Sequence, residues 1–299
     1  MLFAACGRLR FDAVTTSDGN VDDADGVAID APPPCKGPFA APRELAELRV
    51  AGSASEEGAT MTDDRLEIYF GADRPGALGG EAIYHATRAT TADLFDAGER
   101  VVAFDSMGID DDPYLESDQL TMWMFWDATL VRSVRADRNS PWSVPAPVAE
   151  FPTGNGDGAV SMSSDGLTMY FSSGRLPTSG NGDVWRAERA SLAAPFTTFV
   201  HEAIASSNSF DCCPEVLAGD TQVAFSSQRL GLTHLYVSDR AGDGTLGPST
   251  LMSMVNSVDP YVDYDLFATR DGVAVGVTST RPGTVGGSAA IWLYERTCP

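Results

Sequence analysis

The chain is poor in positive charge. Its 299 residues hold 20 Lys and Arg against 42 Asp and Glu, a formal net charge of −22. A surface that acidic repels phosphate backbones and anionic headgroups, which excludes nucleic acid as a partner and leaves a bare membrane surface a poor one. Long apolar runs are missing too, and nothing approaches the roughly 18 residues that a membrane-spanning helix needs. There is no Cys-x-x-Cys and no His/Cys cluster of the zinc-binding kind. Nor is there a Gly-x-Ser-x-Gly elbow or a His-Glu-x-x-His helix, so the usual signatures of nucleophilic and zinc-dependent hydrolysis are absent. The three histidines, His85, His201 and His234, fall on outer strands in the reading below and are expected to be structural. What is present, 43% hydrophobic and 9% aromatic residues, suffices for a packed core.

One alternating segment recurs five times. The copies are Leu66–Phe70, Leu120–Met124, Leu167–Phe171, Thr221–Phe225 and Val273–Val277, spaced 47 to 54 residues apart. Apolar residues at the first, third and fifth places, Thr221 excepted, predict a strand with one buried face. The spacing leaves no room for helical crossovers, so a parallel sheet is not expected. With the first residue of each copy as zero, position −2 is Asp64, Asp118, Asp165 and Asp271, with Asp220 one place late. Asp followed by Gly in two copies is a hairpin-turn signal. Position +8 is Arg74, Arg175, Arg229 and Arg281, with Ala128 in the second copy. Position −10 is acidic throughout: Glu56, Asp110, Asp157, Asp211 and Asp263. A further strand follows each core and ends in Arg88, Arg135, Arg189, Arg240 or Arg296. A third, extended segment opens on Phe39, Phe95, Trp142, Phe196 or Leu246.

These outer segments number five, yet the first precedes the first core strand and none follows the last. That offset is the mark of a ring. The expected fold is all-β, a five-bladed β-propeller spanning residues 37–299, with four-stranded antiparallel blades whose strands run a to d outward from the axis. The N-terminal segment at Phe39 supplies strand d of the C-terminal blade, which closes the ring and protects its edges. Closure sets Cys35 beside Cys298, and a disulfide between them is expected to clasp the ring, contributing ~4 kcal/mol by loop-closure arguments. Five cysteines is an odd number for an exported protein. The start, Met1-Leu2-Phe3-Ala4-Ala5-Cys6-Gly7, resembles the end of a bacterial lipoprotein signal, with Cys6 as the lipidated residue. Residues 1–6 are read as the remnant of such a signal, and 7–36, rich in Asp and ending near Pro32-Pro33-Pro34, as a disordered acidic linker. The neighbours Cys212 and Cys213 are expected to form the second pair, a strained bond, with two free thiols, or one pairing with an outside partner, as the alternatives.

The phrase Ser163 to Arg175, followed by Asp183-Val184-Trp185, resembles the WD-like propeller repeat of the TolB type. The match is specific in the third copy, good in the first (Leu66 to Arg74) and fourth (Val223 to Arg229), and degenerate in the others. Two departures stand out: these repeats are longer than usual, and five blades are counted where the TolB propeller has six. The resemblance implies a periplasmic or surface propeller, a binding or scaffold module without catalysis. Its expected partner is a protein or glycan of the cell envelope. With the Cys6 anchor it implies an outer-membrane lipoprotein, read here as a monomer.

In a propeller the d-to-a and b-to-c loops share one face, so the acidic column and the Arg column should meet around the channel mouth. Because both repeat with the fold, they are expected to pair and stitch blade to blade. The second blade breaks the pattern, with Ala128 in place of arginine and three acids in Asp110-Asp111-Asp112. Asp110, Asp112, Asp157 and Asp211 are therefore candidate ligands for calcium, through hard oxygens converging on one ion. Together with Asp263 and Trp126, whose ring is placed to stack on a ligand, Asp110, Asp112, Asp157 and Asp211 make the candidate binding set. The alternative function is a five-bladed glycoside hydrolase with paired carboxylates at the channel mouth. Glu116 and Glu215 on expected strands a, with Asp157 and Asp263, are its candidates, and the primary reading assigns no catalytic residue.

Overall fold

The computed structural model describes residue 35 and residues 37–177, 182–258, 260–284 and 288–297. The chain enters along β1 (Arg43–Glu44), then forms β2 (Glu56–Met61), β3 (Glu67–Ala72), β4 (Ala82–Thr87) and β5 (Glu99–Arg100) as the first blade. The second blade is β6 (Asp110–Leu115), β7 (Thr121–Trp126), β8 (Thr129–Val134) and β9 (Ala146–Pro147). The third is β10 (Gly158–Met162), β11 (Thr168–Ser173), β12 (Asp183–Glu188) and β13 (Thr198–His201). The fourth is β14 (Asp211–Val216), β15 (Gln222–Leu230), β16 (Leu232–Asp239) and β17 (Thr250–Leu251). The fifth, β18 (Asp263–Ala268), β19 (Ala274–Ser279) and β20 (Ala290–Glu295), is completed by β1 in the register Arg43↔Leu293 and Glu44↔Trp292. The protein is a five-bladed, antiparallel β-propeller, closed as the offset of the outer segments requires.

Closure also brings Phe39 against Arg296 and the Thr297 carbonyl to Gly37. Cys35 is disulfide-bonded. Its expected partner Cys298, the lipidation site Cys6 and residues 7–34 of the linker lie outside the described residues.

The aspartates at −2 build the a-to-b turns. Asp64, Asp165 and Asp271 each accept the backbone N–H two residues on, at 3.0, 2.9 and 2.9 Å, and the residue after them turns left-handed in Arg65, Gly166 and Gly272. The arginines that end strand c clamp these turns. Arg88, Arg135 and Arg189 donate through Nε to the carbonyls of Arg65, Gln119 and Gly166 at 2.7, 3.0 and 2.7 Å. Their guanidinium groups also lie over Phe95, Trp142 and Phe196 at 4.4, 4.6 and 4.8 Å, and Arg296 lies over Phe39 at 3.9 Å. The bulky residue opening each outer strand is thus the apolar platform for that cation, Leu246 excepted.

The expectation of one buried face for strand b falls short. Met122 and Met124 are buried on one side and Trp123 on the other, as are Met169 and Phe171 against Tyr170. The physical reason is stacking. Each sheet is covered by both neighbours, so Tyr170 packs with Val216, Val223 and Phe225 of the next blade.

Candidate functional site

Each strand a begins at or beside the acid of the −10 column, and the structure ties most of these acids to the fold. Arg175 meets Asp157 at 2.7 Å, Arg229 meets Asp211 at 3.1 Å and Arg281 meets Asp263 at 2.6 Å. Two of these arginines also reach the carbonyl that ends the incoming d-to-a linker, Arg229 to Ala205 at 2.5 Å and Arg281 to Val255 at 2.8 Å, and Arg74 is bonded likewise to Leu48. Glu56 instead pairs with Arg49 at 3.3 Å. The stitching therefore runs within a blade and to the linker entering it, whereas the sequence suggested stitching from blade to blade.

In the second blade, which has no arginine at this place, Asp110 is held by the Ser106 hydroxyl and its N–H at 2.7 Å. Trp126 donates its indole N–H to the Phe104 carbonyl at 2.6 Å. Phe104 stands in its linker where Leu48, Ala205 and Val255 stand in theirs, each closing an i to i+3 turn. Trp126 therefore does part of the missing arginine's work. Trp126→Phe keeps the ring but strands that carbonyl, at a cost of about 1 to 3 kcal/mol. Calorimetry should show a fall in Tm; an unchanged Tm would mean that water replaces the indole.

The axis is lined by a different column. Every strand a carries a bulge one or two residues after the acid, at Glu57/Thr60, Asp111/Tyr114, Gly158/Ser161, Cys212/Glu215 and Tyr264/Phe267. At each bulge one residue is left-handed: Gly58 (φ 52°), Asp112 (50°), Ala159 (43°), Cys213 (57°) and Asp265 (46°). Four of these are not glycine, so the surrounding ring holds them there against an intrinsic cost. All five line one axial cavity of about 40 Å³.

Around that cavity Asp111, Asp112, Asp265, Glu57 and Glu81 gather, with no ion pair to any of them among the described residues. A Cβ on Gly71 would collide with Asp111 Oδ1 and Glu81 Oε1, and one on Gly58 with Asp111 and the Asp112 backbone. The two glycines thus make room for carboxylates. Asp111 Oδ1 and Glu81 Oε1 are out of reach of water and have no hydrogen-bond partner. Burial, with Asp265, Glu81 and Glu57 as neighbours, holds the Asp112 carboxyl well above the usual range, and burial with Asp112 does the same to Asp111. Burial and Asp111 push Glu81 up to about 9. Asp265 is pushed up to about 7 by burial, although Cys213 and the Gly58 N–H bond to it. Tyr264 donates to Glu57 at 2.7 Å.

Cys212 and Cys213 are free thiols, so the strained bond between neighbours is not formed. Their sulfurs and an Asp265 oxygen lie within 4.8 Å of one another. The hydrogen bond that Cys213 donates to Cys212, together with burial, raises the Cys213 thiol.

At the other end of the channel, a cavity of about 140 Å³ is lined by Tyr114, Ser161, Glu215, Asp63, Asp220 and Arg270, among others. Glu215 is pushed up to about 8 by burial and accepts the Ala268 N–H at 2.9 Å. Glu116 lines neither cavity; it takes the Trp123 indole N–H at 2.6 Å.

Of the residues singled out from sequence as calcium or ligand contacts, Asp112 alone lines the axial cavity, which Cys213 and the hydrolase candidate Glu215 also line. Asp157, Asp211 and Asp263 are paired with arginine, Asp110 with Ser106, and Trp126 with a carbonyl, so the four expected calcium ligands do not converge. Asp111, Asp265, Glu57 and Glu81 were missed. The column of Asp265 holds Gly, Asp, Ala, Cys and Asp across the five copies, that of Glu57 and Asp111 holds Glu, Asp, Gly, Cys and Tyr, and no shared residue type marks either.

No family model and no curated protein sequence matches this chain. Among solved structures it is similar to the catalytic domain of a GH62 α-L-arabinofuranosidase from Coprinopsis cinerea, at 10% identity and TM-score 0.58, covering 88% of this chain and 95% of that one. It is also similar to an endo-arabinase from Bacteroides thetaiotaomicron, at 14% identity and TM-score 0.53, covering 86% and 97%. TolB from Acinetobacter baumannii aligns at 14% identity and TM-score 0.49 over 77% of this chain, which spans 53% of that protein, about half its length. At such identities the likeness is one of fold, and it carries no residue's role across.

Proposed function

We propose that this propeller is a non-catalytic scaffold, exported and lipid-anchored at Cys6, that docks a protein of the cell envelope on the face where its strands a begin. The observation that carries the reading is the character of that face. Its b-to-c and d-to-a loops expose Met107 (80%), Leu176 (87%) and Val258 (82%), with Leu78, Ile109, Phe210 and Leu230. Large apolar side chains concentrated on one face of an otherwise acidic protein are what a protein interface requires. The disulfide at Cys35 supports an oxidising compartment, and the anchor rests on the Met1 to Gly7 sequence.

The hydrolase alternative draws on the shared five-bladed fold and on the axial acids. Against it, that cavity of about 40 Å³ is far below the roughly 300 to 1,000 Å³ of small-molecule pockets. Asp157 and Asp263, two of the carboxylates proposed for catalysis, are bonded to arginine.

A photo-reactive side chain placed at Leu176, and in a second variant at Leu192 in a c-to-d loop on the opposite face, separates the readings in producing cells. The expected result is one discrete protein adduct from position 176 and none from 192. Equal adducts from both faces, or sugar released from arabinan or xylan by the purified chain, would overturn the proposal.

A further inference from the structure

We propose that the axial bulge ring is a site for a thiophilic divalent cation of the zinc type, held by the thiolates of Cys212 and Cys213 and the carboxylates of Asp265 and Asp112. Nothing in this rests on the docking surface, which lies on the outer loops.

Geometry comes first. The two sulfurs and one Asp265 oxygen already lie within 4.8 Å of one another. Tetrahedral zinc with S and O ligands at about 2.3 and 2.1 Å needs them roughly 3.5 to 3.8 Å apart, so an approach of about an ångström completes that face of the site. Cys213, Asp265 and Asp112 occupy equivalent left-handed positions of three blades and line the same void of about 40 Å³. The two remaining positions of that level are Gly58 and Ala159, the smallest side chains available, which leave the centre open.

Charge is the second observation. Carboxylate oxygens of Asp111 and Asp112 crowd Gly58, and those of Asp111 and Glu81 crowd Gly71. Asp111 Oδ1 and Glu81 Oε1 are buried without a hydrogen-bond partner. A fold that satisfies the outer acid column with arginine in three blades leaves this inner cluster uncompensated among the described residues, and a dication supplies what is missing.

Donor type is the third. Two thiols with carboxylates favour a borderline-soft ion over calcium or magnesium, which take all-oxygen shells. Cys35 is oxidised while this adjacent pair is not, and coordination is a means of keeping neighbouring thiols reduced in the same compartment. On binding, each S–H, and any proton held by the Asp112 or Asp265 carboxyl, passes to solvent as the bond to the metal forms, and no oxidant or reductant is needed. The ion would join blades two, four and five at the axis.

The test uses the full chain, stripped with a chelator and titrated with cobalt(II) and then zinc. The expected result is one cobalt per chain with thiolate-to-cobalt charge-transfer absorption, bleached by zinc. Cys213→Ser should weaken binding by well over an order of magnitude, and Asp265→Asn should weaken it while retaining the thiolate band. Should either variant fail to fold, the native chain answers alone: zinc should protect Cys212 and Cys213 from alkylation, and the chelator should expose them. Absence of the thiolate band, undiminished affinity in Cys213→Ser, or a purified chain whose two thiols are oxidised to one another would overturn the proposal. Calcium uptake with no zinc uptake would also overturn it, and would assign the cluster to oxygen ligands around Asp111 and Glu81.

Discussion

Asp211→Asn is expected to lower the melting temperature by roughly 6 to 12 °C, with Asp157→Asn close behind. Asp211 is fully buried and receives three donors: the Ser207 N–H and hydroxyl, each at 2.6 Å, and Arg229 at 3.1 Å. An amide keeps one acceptor oxygen but turns an NH₂ toward donors that have nowhere else to point. Removing one partner of a buried pair costs about 3 kcal/mol or more, because the other is left uncompensated, and a ring of this size loses roughly 2 to 4 °C per kcal/mol. The contact is also where the Ala205 linker turn is anchored, through the same guanidinium, so the loss reaches the join between two blades. Calorimetry in calcium and in chelator checks it. A large fall independent of calcium identifies the acid as part of the fold's stitching. A fall seen only with calcium would mean that an ion, and not Arg229, holds the carboxylate.

How far the sequence could be read follows from what repeats in it. The core strands and the Asp turns recur from blade to blade because every blade faces the same packing problem, each leaving a residue-type column, and the ring closure shows as the offset of the outer segments. The arginines ending strand c were visible, and so were Phe95, Trp142 and Phe196, but not that the cations lie over the rings, since that contact depends on where the a-to-b turn brings its carbonyl. Trp126 looked like a free platform because its partner, the Phe104 carbonyl, is backbone and leaves no mark in the sequence. The axial site was hidden for a different reason. The bulge adds a residue to strand a, so counting by twos from the core strand loses phase just where Asp112, Cys213 and Asp265 turn inward. Glu81 lies outside strand a altogether, in the b-to-c loop of the first blade. The acidic column at −10 was conspicuous because it serves the fold, and the acids beside it were not, because each blade uses that level differently.

With the cation stripped, the protein should lose stability as pH rises from 5 to 8, the reverse of what an acidic, salt-bridged protein does on acidification. Glu215 is the cleanest contributor. Its carboxyl, buried and pushed up to about 8, stays protonated in the fold at a pH where the unfolded chain has already ionised. The unfolded state then binds fewer protons, so stability is complete below the ordinary carboxylate range and drains away as pH climbs toward 8. For this one group the loss between pH 5 and 7 is about 2 to 3 kcal/mol, or roughly 4 to 12 °C. Asp265, pushed to about 7, and Glu81, pushed to about 9, act with the same sign. Among the groups that oppose them, Glu67 is drawn down to about 2 by hydrogen bonds accepted from His85 and Arg138 that outweigh its burial. Its contribution is therefore lost only below the ordinary carboxylate range, and it is flat across this window. Glu215→Gln preserves the acceptor for the Ala268 N–H and cannot ionise, so it should match the native chain at pH 5 and exceed it at pH 7 and 8. A native melting curve that rises with pH would mean that these acids are ionised in the fold and reached by water. Because a bound dication favours the ionised form of Asp265 and of both thiols, loading with zinc should shrink the fall between pH 7 and 8 in the native chain. It should leave most of the part that Glu215→Gln removes, since that carboxyl is not among the ligands and stays bonded to the Ala268 N–H.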